Sequence, residues 1–388
     1  MSAPLDFTLS AGPVAASPRT LAALGEPITY HYDPDFLALF RRTQAKAAQV
    51  MQTTNDVLLM QGEAILGLEA GASALFTPGA HVLNLVQGVF GKGMGYWITG
   101  FGAILHEIEV PYNDAVDPSD VIAYLDANPQ IEILTVVASE TPSGTVCNIE
   151  AIGRACAERG VVTFVDVVSG VGGMPFNVDA WGLDVCVAGL QKCLGGPPGV
   201  SIVTVSPRAW ERINANPDAP RDSYLSMLDW KIKWLENGAF PYTPSVSDMH
   251  GAESCLDQAL EEGIDNMIQR HARAAEVARA GVLGLGLELW AKSDDVAAWC
   301  VTSVRLADNI DHVELRTLAR ARYGVMLSSG QGAGNLIRIG HMGPTARGMY
   351  PVVGVAAVGQ AIRDLGGTVD LGAGHEQAMG VLARQMAL

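Results

Sequence analysis

A lysine and an aspartate that each follow an apolar run are the residues of this sequence whose types and order best suggest chemistry. Lys192 comes after the run 186–190 (CVAGL) and before a turn rich in glycine and proline. Asp166 ends the run 161–166 (VVTFVD), whose pattern predicts a buried strand. A lysine amine can form an imine with an aldehyde, and a carboxylate can pair with a protonated ring nitrogen. The two residues together therefore predict a pyridoxal site, in which the ring withdraws electrons from a substrate carbanion.

Each of these two residues, taken alone, has an ordinary structural explanation. A lysine beside glycine and proline is usually a solvated loop residue. An aspartate at the end of an apolar strand is common in α/β proteins, because ligand sites gather at the carboxyl ends of parallel strands. The pair in this order is more specific, and it requires a fold that brings Lys192 and Asp166 to neighbouring strand ends.

The composition is typical of a compact enzyme. Hydrophobic residues make up 49% and charged residues 17% of the 388 residues, which allows a large core. The net charge of −16 disfavours nucleic acid and anionic membranes as partners. The six cysteines include no C-x-x-C pair, so we expect neither a disulfide framework nor a bound metal. The sequence shows no signal peptide and no apolar run of roughly 18 to 20 residues, and we expect a cytoplasmic protein.

Strands and helices alternate along most of the chain, which predicts an α/β fold built on a parallel sheet. The apolar runs at 81–86 and 200–205 predict strands, and the pattern at 351–364 predicts a helix. We expect an irregular N-terminal arm at 1–35 and a large pyridoxal-binding domain at 36–250. A long helical pattern, broken at Gly281 and Gly284, predicts a bridging helix at 251–280, followed by a small C-terminal domain at 281–388. The segment 214–237 has few periodic cues and several aromatic residues, and we interpret it as a lid and subunit contact.

Several motifs of the chain resemble those of the class V aminotransferases, a family of fold type I pyridoxal phosphate enzymes. The motifs are 139–144 (SETPSG), 165–169 (VDVVS), 191–195 (QKCLG), 242–246 (YTPSV) and 338–343 (RIGHMG). The resemblance covers nearly the whole chain and implies a large domain with a mostly parallel mixed sheet flanked by helices, plus a smaller C-terminal α+β domain. Within the family, the segments 62–70, 88–93 and 191–195 are most similar to the pyridoxamine–pyruvate aminotransferases.

The resemblance also implies roles for individual residues. Lys192 is expected to carry the imine and then to act as the general base, while Asp166 keeps the ring nitrogen protonated. The resemblance implies that Phe90 stacks on the ring and that Thr141 binds its phenolic oxygen. It places Gly12 and Arg338 near the substrate carboxylate, and Thr243 across a dimer interface. We therefore expect an active site shared within a homodimer, with or without further pairing into tetramers.

Glu63 is the most informative single residue. It lies in the turn 61–64, between a predicted strand and helix, where backbone N–H groups normally hold a phosphate. Many family members have small or hydroxyl residues there, whereas a carboxylate about 4–5 Å from a phosphate dianion repels it by a few kcal/mol at an effective dielectric of roughly 20. Either Glu63 complements the helix dipole and points to solvent, or it fills the phosphate cup and selects unphosphorylated pyridoxal or pyridoxamine.

Two further positions depart from the pyridoxamine–pyruvate aminotransferases. Phe90 replaces a tyrosine, so it keeps the ring face and loses a hydroxyl, although it could also be ordinary core. Gln331 replaces an arginine that helps bind the amino-acid carboxylate, and it offers hydrogen bonds without a charge. The acceptor is therefore either different from pyruvate or bound through Arg338 alone. Arg338 has a planar fork that suits a carboxylate, and its competing role is a structural ion pair.

Together, these features predict an aminotransferase that moves the amino group of pyridoxamine to pyruvate, giving pyridoxal and L-alanine, in vitamin B6 degradation. Pyridoxal or pyridoxamine is then a bound substrate. The main competing hypothesis is an enzyme with pyridoxal 5′-phosphate on Lys192 that transfers an amino group from alanine, serine or aspartate to glyoxylate or pyruvate. A non-catalytic vitamer-binding protein is a third hypothesis, against which the Lys192–Asp166 pair argues. A β-lyase or desulfurase is a fourth, and the desulfurase needs a reactive cysteine that the sequence does not indicate.

Overall fold

A computed structural model describes residues 6–386, so residues 1–5 of the predicted arm and 387–388 of the predicted small domain lie outside the described residues. The helices are α1 (Pro18–Leu24), α2 (Pro34–Met51), α3 (Ala64–Leu75), α4 (Val89–Gly100), α5 (Pro118–Ala127), α6 (Ile149–Glu158), α7 (Pro207–Ala215), α8 (Met227–Asp229), α9 (Val246–Glu262), α10 (Ile264–Gly284), α11 (His312–Tyr323), α12 (Tyr350–Asp364) and α13 (Leu371–Met386). Several of the helices begin at a proline, which lacks the N–H that a first turn leaves unpaired.

The strands are β1 (Phe7–Thr8), β2 (Asp56–Gln61), β3 (His81–Val86), β4 (Ile104–Glu109), β5 (Ile133–Val137), β6 (Ser139–Glu140), β7 (Thr145–Val146), β8 (Val162–Asp166), β9 (Val185–Gly189), β10 (Val200–Val205), β11 (Val301–Arg305), β12 (Val325–Met326), β13 (Ser328–Ser329) and β14 (Leu336–Gly340). A π-helical segment covers Trp230–Glu236, and short 3₁₀ segments cover Asp294–Val296 and Gly343–Thr345.

A seven-stranded sheet, in the order β2-β10-β9-β8-β5-β3-β4, is the central layer of the large part of the chain. Its neighbouring strands run parallel except at β10, which is antiparallel to both β2 and β9. The strands β5, β8, β9 and β10 are buried at every position, as expected for a sheet covered on both faces. The prediction of a mostly parallel α/β sheet is confirmed. The carboxyl ends of β2, β3, β5, β8 and β9 consequently share one edge.

A second, three-stranded antiparallel sheet has the order β11-β14-β13 and packs against α10 and α12. The buried apolar side chains fall mainly into two clusters, one between Phe36 and Met267 and one between Val282 and Ile362. Leu9 belongs to the second cluster, and β1 pairs in parallel with β12, so the N-terminal segment is anchored on the C-terminal part. The arm at 1–35 also contains the helix α1, although we expected it to be irregular. The domain limits stay a prediction.

The predicted bridging helix at 251–280 is two helices in the structure, α9 and α10, which meet at Gly263. Gly263 has a φ of 85°, a conformation that favours glycine and ends α9. We expected breaks at Gly281 and Gly284, but α10 continues through Gly281 and ends at Gly284. Gly281 instead allows close packing, because a Cβ there would come within 2.8 Å of Val355 Cγ1.

The tryptophans of the segment 214–237 lie in the core, which the interpretation as a lid did not foresee. Trp230 stacks on Phe40 with ring centroids 5.9 Å apart, and Trp234 stacks on Phe240 at 4.3 Å. The π-helical turns of Trp230–Glu236 depart from the 3.6-residue period, which explains why the sequence showed few periodic cues there. Among residues 6–386, no helix is both long enough and apolar enough to cross a bilayer.

Candidate active site

Lys192 lies just beyond the carboxyl end of β9, at the sheet edge where the parallel strands end. Its Nζ donates a hydrogen bond to the carbonyl of Ala11 at 2.9 Å. Gly12 lies against the lysine with a φ of 103°, and a Cβ there would come within 2.6 Å of Lys192 Cε. Burial lowers the pKa of the Lys192 amine, and the charge of Arg338 adds to this effect. The neutral amine that nucleophilic and base chemistry requires is therefore favoured.

Asp166 is the last residue of β8, the strand next to β9, and it is 7% exposed. Its Oδ1 accepts a hydrogen bond from the N–H of Val168 at 2.9 Å. Burial raises the pKa of Asp166 to about 6, whereas the Val168 N–H and the charge of Lys192 act in the opposite direction. A cationic ring nitrogen beside this carboxyl would favour its ionised form.

Glu63 caps α3 and at the same time contacts the residue before Lys192. Its Oε2 accepts the N–H of Ile65 at 2.8 Å, and its Oε1 accepts a hydrogen bond from the side-chain amide of Gln191. Ser201 Oγ donates to the carbonyls of Gly62 and Glu63, each at 2.9 Å. Because β10 separates β2 from β9, Ser201 on β10 joins the Glu63 turn to the Gln191 segment. Glu63 is exposed and caps the helix, as in the first role considered, and it also contacts the loop of Lys192. Its role in selecting unphosphorylated vitamers stays a prediction.

Phe90 lies in the first turn of α4, and its side chain is 42% exposed. Its backbone N–H donates to Glu140 Oε2 at 3.2 Å, and the N–H of Gly91 donates to Glu140 Oε1 at 2.5 Å. Glu140 is fully buried. Burial raises the pKa of Glu140 to about 7, while these two backbone N–H groups lower it.

Arg338 on β14 is 3% exposed, and its Nη1 donates to the carbonyl of Thr141 at 2.8 Å. Its Nε has no hydrogen-bond partner within the described residues. Burial lowers the pKa of Arg338 to about 10, so the guanidinium remains charged at neutral pH. A buried cation with a free N–H can bind an anionic ligand.

A cavity of about 100 Å³ brings most of the predicted ring-binding residues together. Its lining includes Glu63, Phe90, Thr141, Asp166 and Lys192, together with Ser139, Ser169 and the apolar side chains of Ile65, Leu68 and Val168. Ser169 Oγ donates to the carbonyl of Ser139 at 2.8 Å, which ties two of the strand ends together. An amine, a buried carboxyl, a hydroxyl and apolar walls suit a planar pyridine ring that carries an aldehyde or aminomethyl group.

Four predicted site residues do not line this cavity. Two of them lie against residues that do, Gly12 against Lys192 and Arg338 against Thr141. Gln331 is exposed, with a φ of 49°, in the loop that follows β13, and Thr243 is exposed just before α9. The predicted roles of Gln331 at the substrate carboxylate and of Thr243 in a neighbouring subunit stay predictions.

Two residues with direct contacts to the site residues were not proposed from the sequence. Gln191 holds Glu63, and Glu140 holds the first turn of α4. Both lie within motifs that carry the family resemblance, directly before Lys192 and Thr141, so their position was the signal available. Their partners come from distant segments, which no local pattern indicates.

The fold is that of the fold type I aminotransferases, and it brings Lys192 and Asp166 to one cavity. The family described as "Aminotransferase class-V" matches residues 29–347, so the chain belongs to the class V aminotransferases, which depend on pyridoxal phosphate. The predicted fold class and family are confirmed, and the chain is an aminotransferase.

Comparison with individual proteins shows which members of this family the chain resembles. It is 45% identical to the pyridoxamine–pyruvate transaminase of Mesorhizobium japonicum, over 97% of this chain and 96% of that protein. The crystal structure of the pyridoxamine–pyruvate aminotransferase from Mesorhizobium loti has a TM-score of 0.96 and 44% sequence identity, and the match covers 99% of this chain and 98% of that one. The L-aspartate–glyoxylate aminotransferase of Paracoccus denitrificans is 30% identical over 94% of this chain and 92% of its own length.

Proposed function

We propose that this chain transfers the amino group of unphosphorylated pyridoxamine to pyruvate, giving pyridoxal and L-alanine. The observation that carries the proposal is the position of Glu63. Its carboxylate accepts the N–H of Ile65 at the start of α3, where a phosphate would otherwise bind, and it lines the same cavity as Lys192. A phosphate ester brought to this turn would meet a negative charge that is already hydrogen-bonded there. The similarity to pyridoxamine–pyruvate transaminases over nearly the full length supports the same conclusion.

In this proposal the residues of the cavity divide the work. The bound ring supplies an electron sink for negative charge on the carbon next to the amine nitrogen. Lys192, whose burial favours the neutral amine, moves a proton between that carbon and the C4′ carbon of the ring. Asp166 holds the proton of the ring nitrogen in place. Phe90 stacks on the ring and Thr141 donates to its phenolic oxygen, so that both fix its orientation.

We assign the carboxylate of the oxo acid to Arg338. The guanidinium is buried, its partner within residues 6–386 is the neutral carbonyl of Thr141, and its Nε is free to donate. A carboxylate would supply both the missing charge and the missing acceptor. Gln331 is exposed, whereas Arg338 is buried and contacts the lining residue Thr141, which favours binding of the acceptor through Arg338 without the help of Gln331.

A second candidate is an aminotransferase that retains pyridoxal 5′-phosphate and uses glyoxylate or pyruvate as acceptor. Two observations favour it: the family as a whole depends on that cofactor, and Glu63 is exposed enough to turn away from α3. The cost of turning away is the loss of the Gln191 hydrogen bond and of the helix cap.

The cellular setting is part of the proposal. We infer a cytoplasmic enzyme of vitamin B6 degradation that works as a homodimer, or as a tetramer formed by two such dimers, in which Thr243 contacts the neighbouring subunit. The exposure of Thr243 at the start of α9 leaves it available for such a contact.

Steady-state assays with two amino donors and a panel of acceptors test this function. Purified protein is given pyridoxamine or pyridoxamine 5′-phosphate with pyruvate, glyoxylate, oxaloacetate or 2-oxoglutarate, and pyridoxal and amino acid are quantified. The proposal predicts turnover of pyridoxamine with pyruvate and formation of L-alanine, without added phosphorylated vitamer. Turnover that requires pyridoxal phosphate and occurs between amino acids and glyoxylate would instead establish the second candidate.

A further inference from the structure

Glu140 is a buried carboxylate to which the proposed reaction assigns no task. It is the second residue of β6, it is fully buried, and it lies next in sequence to Thr141. Within residues 6–386 its carboxylate oxygens accept the backbone N–H groups of Phe90 and Gly91, at 3.2 and 2.5 Å. Burying a carboxylate without a cationic partner costs free energy, which a core packed for stability alone would avoid.

The surroundings of Glu140 are shaped to admit its carboxylate. Gly88, the N-cap residue of α4, has no side chain that could accept a hydrogen bond from the first N–H groups of the helix. The carboxylate of Glu140, on β6, accepts such hydrogen bonds instead. A Cβ at Gly88 would come within 2.6 Å of Glu140 Oε2, and a Cβ at Gly91 would come within 3.2 Å of Oε1. Besides burial, which is the main cause, the charge of Asp166 on β8 helps to raise the pKa of Glu140. Burial likewise raises the pKa of Tyr112, and the charges of Glu109 and Glu140 add to this effect.

Glu140 also connects two residues that line the cavity. Phe90, whose own N–H it binds, and Thr141, the next residue in the chain, come from different strand ends and face the same cavity. The carbonyl of Glu140 accepts the N–H of Gly144, which closes the loop that carries Thr141. The position of the Phe90 ring relative to the Thr141 hydroxyl therefore depends on one buried carboxylate.

We propose that Glu140 is a positioning residue that sets the orientation of the bound pyridine ring by holding Phe90 in register with Thr141. This inference rests on the proposed function, because it takes unphosphorylated pyridoxamine as the ligand. Without a phosphate to anchor the ring, its orientation depends more heavily on the contacts of its faces and edges. Glu140 holds both Phe90, which contacts one face of the ring, and Thr141, which contacts one edge of it.

The test is Glu140→Gln, which keeps the size of the side chain, removes its charge and turns an amide NH₂ toward one of the two N–H donors. Pyridoxamine binding is measured by calorimetry, and the orientation of the ring by the circular dichroism of bound pyridoxal in its own absorption band. We expect the dissociation constant for pyridoxamine to rise about tenfold and the dichroism to weaken, from the loss of a hydrogen bond to a charged acceptor. The matched control is Asp117→Asn, which removes a carboxylate cap from α5, outside the cavity lining.

A second variant and a double mutant keep the test decisive. Gly88→Ala displaces the Glu140 carboxylate without changing its charge, at a φ of −179° that alanine can adopt, and is expected to weaken binding in the same direction. In a Phe90→Ala background, adding Glu140→Gln should have little further effect on pyridoxamine binding, because Glu140 acts on the bound ring through the side chain of Phe90. Wild-type binding and dichroism in both Glu140→Gln and Gly88→Ala would overturn the inference. Failure of the wild-type protein to bind pyridoxamine would instead overturn the proposed function.

Discussion

The side-chain amide of Gln191 donates a hydrogen bond to the carboxylate of Glu63, across the antiparallel strand β10. Gln191 is 2% exposed and directly precedes Lys192, so the residue that holds Glu63 is part of the loop that holds the amine. In the proposed function, recognition of the vitamer by Glu63 and the chemistry of Lys192 would thereby be linked through one loop.

Replacing Gln191 should therefore weaken the choice between vitamers. In Gln191→Ala we expect the dissociation constant for pyridoxamine to rise about tenfold, because a hydrogen bond to a charged group is lost, and discrimination against its phosphate ester to decrease. Binding of both compounds is measured by calorimetry. Gln130→Ala, at an exposed glutamine, is the control. Unchanged affinities in Gln191→Ala would show that Glu63 keeps its position without this contact.

Lys192 should be needed for turnover but not for capture of pyridoxamine. In Lys192→Ala we expect turnover to fall by at least about 10³-fold, since a positioned general base contributes up to about 10⁴-fold. Pyridoxamine affinity should change far less, because the Glu63, Phe90, Thr141 and Asp166 side chains remain. Rapid-mixing absorbance measures the first quantity and calorimetry the second, with Lys292→Ala, 65% exposed, as control. Full turnover in Lys192→Ala would contradict the role given to this lysine.

Arg338 should affect the oxo acid and not the vitamer. We expect Arg338→Gln to raise KM for pyruvate about 100-fold, as for the loss of a buried charge-assisted pair, and to leave the dissociation constant for pyridoxamine nearly unchanged. Initial rates at varied pyruvate give the first value. Arg322→Gln, which breaks an ion pair with Asp364 in which the Arg322 side chain is 64% exposed, is the control. An equal effect of Arg338→Gln on both ligands would mean that Arg338 is structural.

Glu140 should also affect stability in a pH-dependent way. Burial raises the pKa of Glu140 to about 7 from its ordinary value of 4.5, so the folded protein binds this proton more tightly than the unfolded chain. The stabilisation from the proton is complete below the unfolded value and is lost as pH rises through about 7. The free energy of unfolding of Glu140→Gln, relative to wild type, should therefore increase by up to about 3 kcal/mol between about pH 5 and pH 8.

Urea unfolding at a series of pH values measures this difference. Asp117→Asn is the control, because hydrogen bonds from Ser119 lower the pKa of Asp117 and its contribution changes only at more acidic pH. A relative stability of Glu140→Gln that stays constant across the range would show that the pKa of Glu140 is not raised in the folded protein.

The layered part of the fold could be predicted from the sequence, because each buried strand is an apolar run bounded by turn residues. The strands His81–Val86 and Val200–Val205 and the helix Tyr350–Asp364 lie where, or within one residue of where, the patterns place them. The irregular parts could not be predicted in this way. The helix Leu371–Met386 was missed because its glycines weaken the helical pattern, and α10 continues through Gly281, where the helix packs closely against Val355.

The residues of the site could likewise be predicted only where a local sequence pattern indicated them. Lys192 and Asp166 were recognisable because each ends an apolar run, and the sheet brings those ends together. Glu63 was recognisable as a departure from a motif, but its contact with Gln191 depends on the antiparallel insertion of β10, which no local pattern encodes. The capping of α4 by Glu140 was not predicted for the same reason, since its partners Phe90 and Gly91 lie 50 and 49 positions away in sequence.

The exchange of Glu63 for serine tests the central claim most directly. Calorimetry measures the dissociation constants of wild type and Glu63→Ser for pyridoxal and for pyridoxal 5′-phosphate. The exchange replaces a carboxylate by a hydroxyl at the start of α3, and Glu69→Ser on the same helix is the control. We predict that wild type binds pyridoxal more tightly than its phosphate ester and that Glu63→Ser reverses this order. Tight binding of the phosphate ester by the wild-type protein, unchanged in Glu63→Ser, would contradict the account.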